Sequence, residues 1–488
     1  MRLHPRAILH LVGALLVVTG GALVLPVIAS LMYGAEGDLF ALTATMGGSL
    51  ALGVPLYVGL RNHRDTLSTR DAVLIATLGW VVVSAVSAVP FVLHGSIPSF
   101  TDAFFEMMSG YTTTGSTILT DIEVVPHGLL LWRSETHLIG GMGFLTLAVL
   151  LLPHGVSGLR IFRAESSPGQ VVTRERFTAR NRDAVVWLWS IYLVLNAALV
   201  VLLLAGGMSL FDSLCHAFGT VSTSGYSSYN TSIGHYDSAY FDWVITLFMF
   251  LGGTTFMLFY YLAHGNWRVL RSNTEFRWYL GLVLFFSVAV AAILWGQGGL
   301  DAADAARHGA FQVVSLITTT GFTTADYETW PHGAQMLLLV AMFIGASAGS
   351  TTSGIKVVHY VLIWRFIVAT LRRSYLQPLA VVSVRLNGRR VDASVVHLAL
   401  IYFVVNVFMV IGGGVFMSIV DGMDIQTAIT SVIATLMNIG PGFGQVGPSH
   451  SFALVSPVGK WFLSFNMLVG RLEMFSALVL FYPSFWTR

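Results

Sequence analysis

Apolar residues come in blocks of roughly twenty along the whole chain, separated by short polar stretches. A helix needs about 20 predominantly apolar residues to cross the hydrocarbon core of a bilayer. The pattern therefore predicts helical spans near 7–33, 38–60, 72–93, 127–152, 183–205, 237–262, 277–296, 331–370, 392–419 and 457–482. The first follows a short basic start, Arg2 and Arg6, but it exceeds the apolar region of a secretory signal and carries Pro26 near its end. A second apolar run follows almost at once, so both are read as retained helices. The eighth run is too long for one ordinary span.

Charge then orients the spans. Arg61, Arg64 and Arg70 follow the second; Arg160, Arg163, Arg174, Arg176, Arg180 and Arg182 the fourth; Arg268, Arg271 and Arg277 the sixth; Arg365, Arg372, Arg373, Arg385, Arg389 and Arg390 the eighth. With Arg2, Arg6 and Arg488, 21 of the 26 Lys and Arg fall on one side. The opposite loops carry Glu36, Asp38, Asp121, Glu123, Asp237, Asp326 and Glu328. The positive-inside rule then puts both termini in the cytoplasm. Only 10% of the 488 residues are charged, against about 25% in a soluble domain, so a soluble surface of this size would be left unclothed. A net charge of +2 argues against nucleic acid as a partner, and the single cysteine, Cys215, excludes a disulfide framework or a cysteine metal site. The 12 Trp and 16 Tyr suit aromatic belts at the bilayer interfaces.

Between spans on the acidic side lie four segments too short to cross and too apolar for plain loops. They are Asp102–Gly115 (DAFFEMMSGYTTTG), Asp212–Gly225 (DSLCHAFGTVSTSG), His308–Gly321 (HGAFQVVSLITTTG) and Thr427–Gly440 (TAITSVIATLMNIG). Aligned on the last glycine, the residue six earlier is small (Ser109, Gly219, Ser315, Ala434) and the residue four earlier large (Tyr111, Val221, Ile317, Leu436). The glycines recur at intervals of 110, 96 and 119 residues, an internal repeat of helix, half-helix with loop, and helix. Its units are 71–160, 161–270, 271–385 and 386–488, with two transmembrane helices in 1–70 outside it.

Non-helical backbone at membrane depth is tolerated only beside protein or a water-filled cavity, so four such segments in register point to one central pore. A half-helix of about 12 residues rises about 18 Å. Its carbonyl end, partially negative, attracts a cation. The loop beyond would aim carbonyls at the axis in place of the ion's water, with glycine permitting the backbone angles. Hydroxyls of TTTG, STSG and TTTG add oxygen ligands, and Asp121, Glu123, Asp326 and Glu328 would concentrate cations at the mouth. The fold expected is an all-α polytopic membrane protein: four membrane–pore–membrane repeats around a central pore, plus the two extra N-terminal helices.

The eighth run is interrupted by GASAGSTTSG, which either breaks the helix or lets it pack closely. Arg471 and Glu473 fall in the last span, where charges usually face a cavity or each other; two residues apart, they would occupy different helix faces. Lys356 either holds the interrupted stretch or snorkels to the cytoplasmic face. Glu106 either supports the filter or caps a polar network. His137, His216, His308, His359 and His397 lack ligand spacing and read as core or interfacial residues. No H-E-x-x-H, no G-x-G-x-x-G following a strand and no P-loop lysine motif occurs, so neither an enzyme nor a nucleotide-binding domain is expected.

Several motifs together resemble the Trk/Ktr/HKT potassium transporters, and within them the bacterial Trk type. They are HLVGALLVVTGGALVLP at the start, WRSETHLIGGMGFL at 132–145, RIFRAE at 160–165, TTTGFTTADY at 318–327, GASAGSTTSGIK at 345–356, NIGPGFG at 438–444 and GRLEMF at 470–475. The resemblance implies potassium uptake across the bacterial cytoplasmic (inner) membrane, with K+ as the transported ion and no organic cofactor. It implies a filter of Thr113, Thr114, Gly115, Thr223, Ser224, Gly225, Thr319, Thr320, Gly321, Asn438, Ile439 and Gly440. The Asn438–Ile439 strand departs from the hydroxyl pattern. The resemblance also makes Gly345–Lys356 an intramembrane gate, including Gly349, Ser350, Thr351, Thr352 and Gly354, and puts Arg471 in the pore below the filter. Implied partners are a second copy in a homodimer, membrane lipid, and a cytosolic nucleotide-binding regulatory subunit of the TrkA type, for which the basic loop at 153–183 is a candidate surface. The competing reading is a sodium-permeable or cation-coupled carrier of the same architecture.

Overall fold

The computed structural model describes residues 3–61, 68–143, 181–375 and 383–487. The basic loop at 153–180, the RIFRAE motif and the end of the fourth expected span lie outside the described residues. Among those described, six helices are long and apolar enough to cross a membrane, and two further pairs qualify as bent spans. The only strands among the described residues are two two-residue pairings, Ile344–Gly345 with Ile355–Lys356 and Arg385–Leu386 with Arg389–Arg390, so the fold is all-α.

Opposed apolar stripes show why these helices need lipid. On Thr274–Gln297, Tyr279, Val283, Phe286, Val290 and Leu294 are buried, while Leu280, Leu284, Phe285, Val288 and Trp295 are exposed. Ala393–Asp421 repeats this, burying Tyr402, Val410 and Met417 and exposing Ile401, Phe408 and Ile419. A helix apolar all round is a buried or membrane helix. No described residue of the chain covers these exposed stripes.

The first span is Pro5–Ala22 continued by Val24–Met32. Pro26 lacks the N–H that would bond back to Ala22, which accounts for the break at Leu23. This span packs against Leu39–Gly59 through Gly13 and Gly53: a methyl group on Gly53 would come within 2.9 Å of the Leu16 side chain.

Inside the bundle sit four short helices, Phe100–Tyr111, Leu210–Val221, Ala302–Ile317 and Ile425–Leu436, hereafter the pore helices. Each start is capped by a side chain: Ser99, Ser209, Asp301 and Asp424 accept the amides of Asp102, Asp212, Asp304 and Thr427, with the third helix one turn longer than the others. Each is followed by a span that the sequence pattern read as continuous, apart from the eighth run. The structure breaks all four. Ala239–Gly252 and Phe256–Ala263 meet at 95°, Pro457–Arg471 and Phe475–Phe481 at 119°. His127–Gly141 ends before a positive-φ Gly143, and His332–Met342 gives way to the paired segment before Val357–Arg373. Close approach explains the matching glycines: a methyl on Gly140, Gly252 or Gly470 would press on the carbonyl ending the neighbouring pore helix, at Tyr111, Val221 or Leu436.

Replacing Gly53 with Leu should force the first two spans apart and cost about 1–3 kcal/mol, the usual range for overpacking. Thermal unfolding in detergent should show the loss, and Gly47→Leu, which faces open space, should show far less.

Candidate ion pathway

Each pore helix ends in the same way. Thr113, Thr223, Thr319 and Asn438 adopt left-handed backbone, with φ of +55°, +57°, +54° and +55°. The next amide, on Thr114, Ser224, Thr320 or Ile439, then returns to the carbonyl of Ser109, Gly219, Ser315 or Ala434 at 2.8–2.9 Å. Those acceptors are the small residues of the sequence repeat. The strand ends at Gly115, Gly225, Gly321 and Gly440, with φ of +84°, +77°, +83° and +104°.

The four strands close into a ring. A methyl group on Gly115 would overlap the Ser224 carbonyl oxygen, one on Gly225 that of Thr320, and one on Gly321 that of Ile439. On Gly440 it would lie 2.9 Å from the Thr114 carbonyl oxygen. Each glycine thus abuts the next strand's carbonyl, and the fourth returns to the first. All twelve residues of the four tripeptides come together around one axis.

Hydroxyls brace three of the strands. Thr112 pairs with Thr114 and Thr318 with Thr320 at 2.8 Å, and Ser222 pairs with Ser224. The fourth carries Met437 and Ile439 at those positions. There Asn438 bridges outward instead, its Nδ2 donating to Thr114 Oγ1 at 2.8 Å and to the Met467 carbonyl at 2.9 Å.

Beneath the ring lies Gly345–Lys356. It is non-helical and folded on itself by the parallel Ile344–Gly345 and Ile355–Lys356 pairing, with Gly349 and Gly354 at positive φ. Ser350 Oγ donates to the Ser347 carbonyl, and Ala348 N donates to the buried Glu275 Oε1 at 2.6 Å. Lys356 is buried and does not reach an aqueous face; Nζ curls back to Thr352 Oγ1 at 3.0 Å and the Ser353 carbonyl at 3.3 Å. The segment touches the inner edge of the ring directly. Thr223 Oγ1 meets Thr351 Oγ1 at 3.3 Å, and Ser353 N donates to Thr319 Oγ1 at 3.2 Å.

Arg471 joins three repeats. Nη1 donates to Thr113 Oγ1 at 3.1 Å, the Thr351 carbonyl at 2.9 Å and Ser353 Oγ at 3.3 Å. Nη2 donates to the Gly140 and Gly141 carbonyls at 2.6 and 2.9 Å. The expectation that Arg471 and Glu473 sit on different faces of one helix is corrected: the helix ends at Arg471, and Glu473 and Met474 both have positive φ.

The mouth carboxylates stitch loops together as well as carrying charge. Asp121 accepts from Asn230 Nδ2, linking the first and second loops. Asp326 accepts from Ser449 Oγ, and Glu328 from the Gly444 amide, linking the third and fourth. Burial pushes the Glu328 carboxyl above the usual carboxylate range, neighbouring Asp326 adds to this, and the Gly444 amide opposes it. Of the expected histidines, His137 stacks on Tyr226 at 4.0 Å and His359 on Tyr402 at 4.9 Å. The described residues contain no cluster of three metal-ligating side chains.

Among the described residues, the ion pairs that escaped the sequence pattern include Arg133–Glu106, Lys460–Asp102, Arg307–Asp242 and Arg307–Asp304. Arg133 and Lys460 fall inside apolar runs, and that was the available signal.

The profile of the TrkH family, described as cation transport protein, matches residues 40–487. The chain belongs to this family. It is 37% identical over 488 residues to the Trk system potassium uptake protein TrkH of Salmonella typhimurium, covering 99% of this chain and 100% of that one. It is 30% identical over 492 residues to the Trk system potassium uptake protein TrkG of Escherichia coli, covering 99% of each. The crystal structure of the potassium transporter TrkH from Vibrio parahaemolyticus superposes with a TM-score of 0.88 at 30% identity, over 99% of this chain and 100% of that one. Membership in the TrkH family makes this a multi-pass membrane transport protein.

Gly225→Ala should cost the left-handed strain of about 1–2 kcal/mol plus the displacement of a carbonyl. Gly207→Ala, at φ +96° but in open space, should cost the strain alone. A larger fall in melting temperature for Gly225→Ala checks that the ring, and not the backbone angle by itself, requires glycine.

Proposed function

We propose that this chain takes up K+ across the bacterial inner membrane through one four-strand filter, with both termini in the cytoplasm. The observation that carries the reading is the closed ring of Thr113–Gly115, Thr223–Gly225, Thr319–Gly321 and Asn438–Gly440 at the carbonyl ends of four pore helices. Carbonyl rings of this kind replace an ion's hydration shell, and the four helix ends add partial negative charge. The potassium uptake function of the TrkH and TrkG relatives supports K+ as the ion.

Gly345–Lys356 acts as the gate, because it fills the space below the ring with irregular backbone tied to it through Thr351 and Ser353. Arg471 holds the gate closed: its guanidinium satisfies carbonyls of the first and third repeats and presents a fixed positive charge to a descending cation. At an effective dielectric of about 20 and a separation of about 8 Å, that repulsion is roughly 2 kcal/mol, about a thirtyfold penalty in occupancy. Opening is driven by a cytosolic nucleotide-binding subunit of the TrkA type, and two copies of the chain form a homodimer, each with its own pore. The division into repeats at 71–160, 161–270, 271–385 and 386–488 follows the pore helices. Sodium permeation by the same route is the second reading, favoured by the fourth strand's lack of hydroxyls; competition of Na+ against K+ uptake separates the two.

Cells without their own potassium uptake should grow at low K+ when they express the chain, and should fail with Gly115→Ser or Gly321→Ser at normal expression. Unaffected growth in both variants would overturn the filter reading. Arg471→Ala should raise basal Rb+ flux severalfold, up to the roughly thirtyfold electrostatic bound; equal or lower flux at normal expression would remove the proposed blocking role.

A further inference from the structure

Each pore helix carries a polar residue nine positions before its filter glycine: Glu106, His216, Gln312 and Ser431, all fully buried. Only the first is acidic, and it is paired. Glu106 Oε1 accepts from Arg133 Nε at 2.6 Å and Thr117 Oγ1 at 2.8 Å, and Oε2 accepts from Ile118 N at 2.8 Å. Arg133 Nη1 donates to the Ser227 carbonyl at 3.0 Å. Its guanidinium carbon lies 3.4 Å from the centre of the Tyr226 ring, and the Tyr226 hydroxyl donates to the Glu106 carbonyl at 2.7 Å. His216 Nδ1 donates to the Asp212 carbonyl, which leaves Nε2 to accept from Ser227 Oγ at 2.9 Å.

These bonds form one unbroken polar chain: first pore helix, Glu106, Arg133, Ser227, His216, second pore helix. It pins Thr117 and Ser227, each two residues past its filter glycine. Among the described residues, the other half of the ring has no such chain. Neither polar atom of the Gln312 side chain has a hydrogen-bond partner, and Ser431 Oγ turns back to the Ala428 carbonyl.

A buried ion pair is weak support for stability, since well-packed apolar residues often serve as well. It does fix geometry, because both charges demand their partners at hydrogen-bond distance. Filter discrimination depends on where the carbonyl oxygens stand, whether by cavity size or by field strength. We infer that the Glu106–Arg133 pair is a positioning element that holds the first and second filter strands at fixed separation and thereby sets the preference for K+ over Na+. This rests on the K+ filter reading above.

The test is the ratio of Rb+ to Na+ uptake into vesicles of the purified full chain, compared with the folded fraction by gel filtration. Glu106→Gln should lower the ratio about tenfold, equivalent to about 1.4 kcal/mol of differential ion stabilisation. The double variant Glu106→Gln with Arg133→Met, which removes the orphaned charge, should recover folded yield while the ratio stays low. A purely structural role predicts the opposite, with yield changed and ratio at the wild-type value, and that result overturns the inference. If neither variant folds, Tyr226→Phe decides, since it keeps the ring against Arg133 and deletes one hydroxyl: a lowered ratio supports the inference and a wild-type ratio overturns it. Wild-type chain that moves no Rb+ would instead sink the filter reading itself.

Discussion

Unpaired peptide oxygen at membrane depth is the constraint around which this molecule is organised. A bilayer cannot solvate a bare carbonyl, so irregular backbone there must face protein or a hydrated axis. The structure meets the constraint by fourfold repetition. Four capped helices stop halfway and turn through one left-handed residue. Each then places its last glycine against the next strand's carbonyl. No strand is complete alone: the space that one glycine leaves is filled by its neighbour's peptide oxygen.

The same constraint shapes the layer below. Gly345–Lys356 has the irregular backbone that lipid would reject, and its polar groups are taken up by neighbours from other repeats. Thr351 donates to the carbonyls of Val221 and Gly252, Lys356 folds onto its own segment, and Arg471 collects carbonyls from the first and third repeats. Ring and lower segment share bonds through Thr223 and Thr319, and Arg471 bridges Thr113 to Thr351 and Ser353, so displacing one disturbs the other. On the proposed function, this is how a change at the gate reaches the ion-binding strands.

Symmetry is broken by the polar side chains. The first and second repeats are tied by a buried ion pair and a histidine, the third and fourth by outer-loop contacts such as Tyr327 to the Gly442 carbonyl at 2.7 Å. The fourth strand replaces a hydroxyl pair with the Asn438 bridge. A single-chain ring can vary its quarters independently, which a ring of identical subunits cannot.

The sequence by itself determined the membrane environment and the number and register of the half-helices with their terminal glycines. These follow from local rules: apolar length, glycine where φ must be positive, and small residues where an amide returns to close a turn. Tertiary structure alone decided that the last helix stops at Arg471, that the spans after the first, second and fourth pore helices break, that Lys356 folds inward and that Glu106 meets Arg133. Each depends on which distant carbonyl or charge lies opposite, and hydropathy carries no record of a partner far away in the chain.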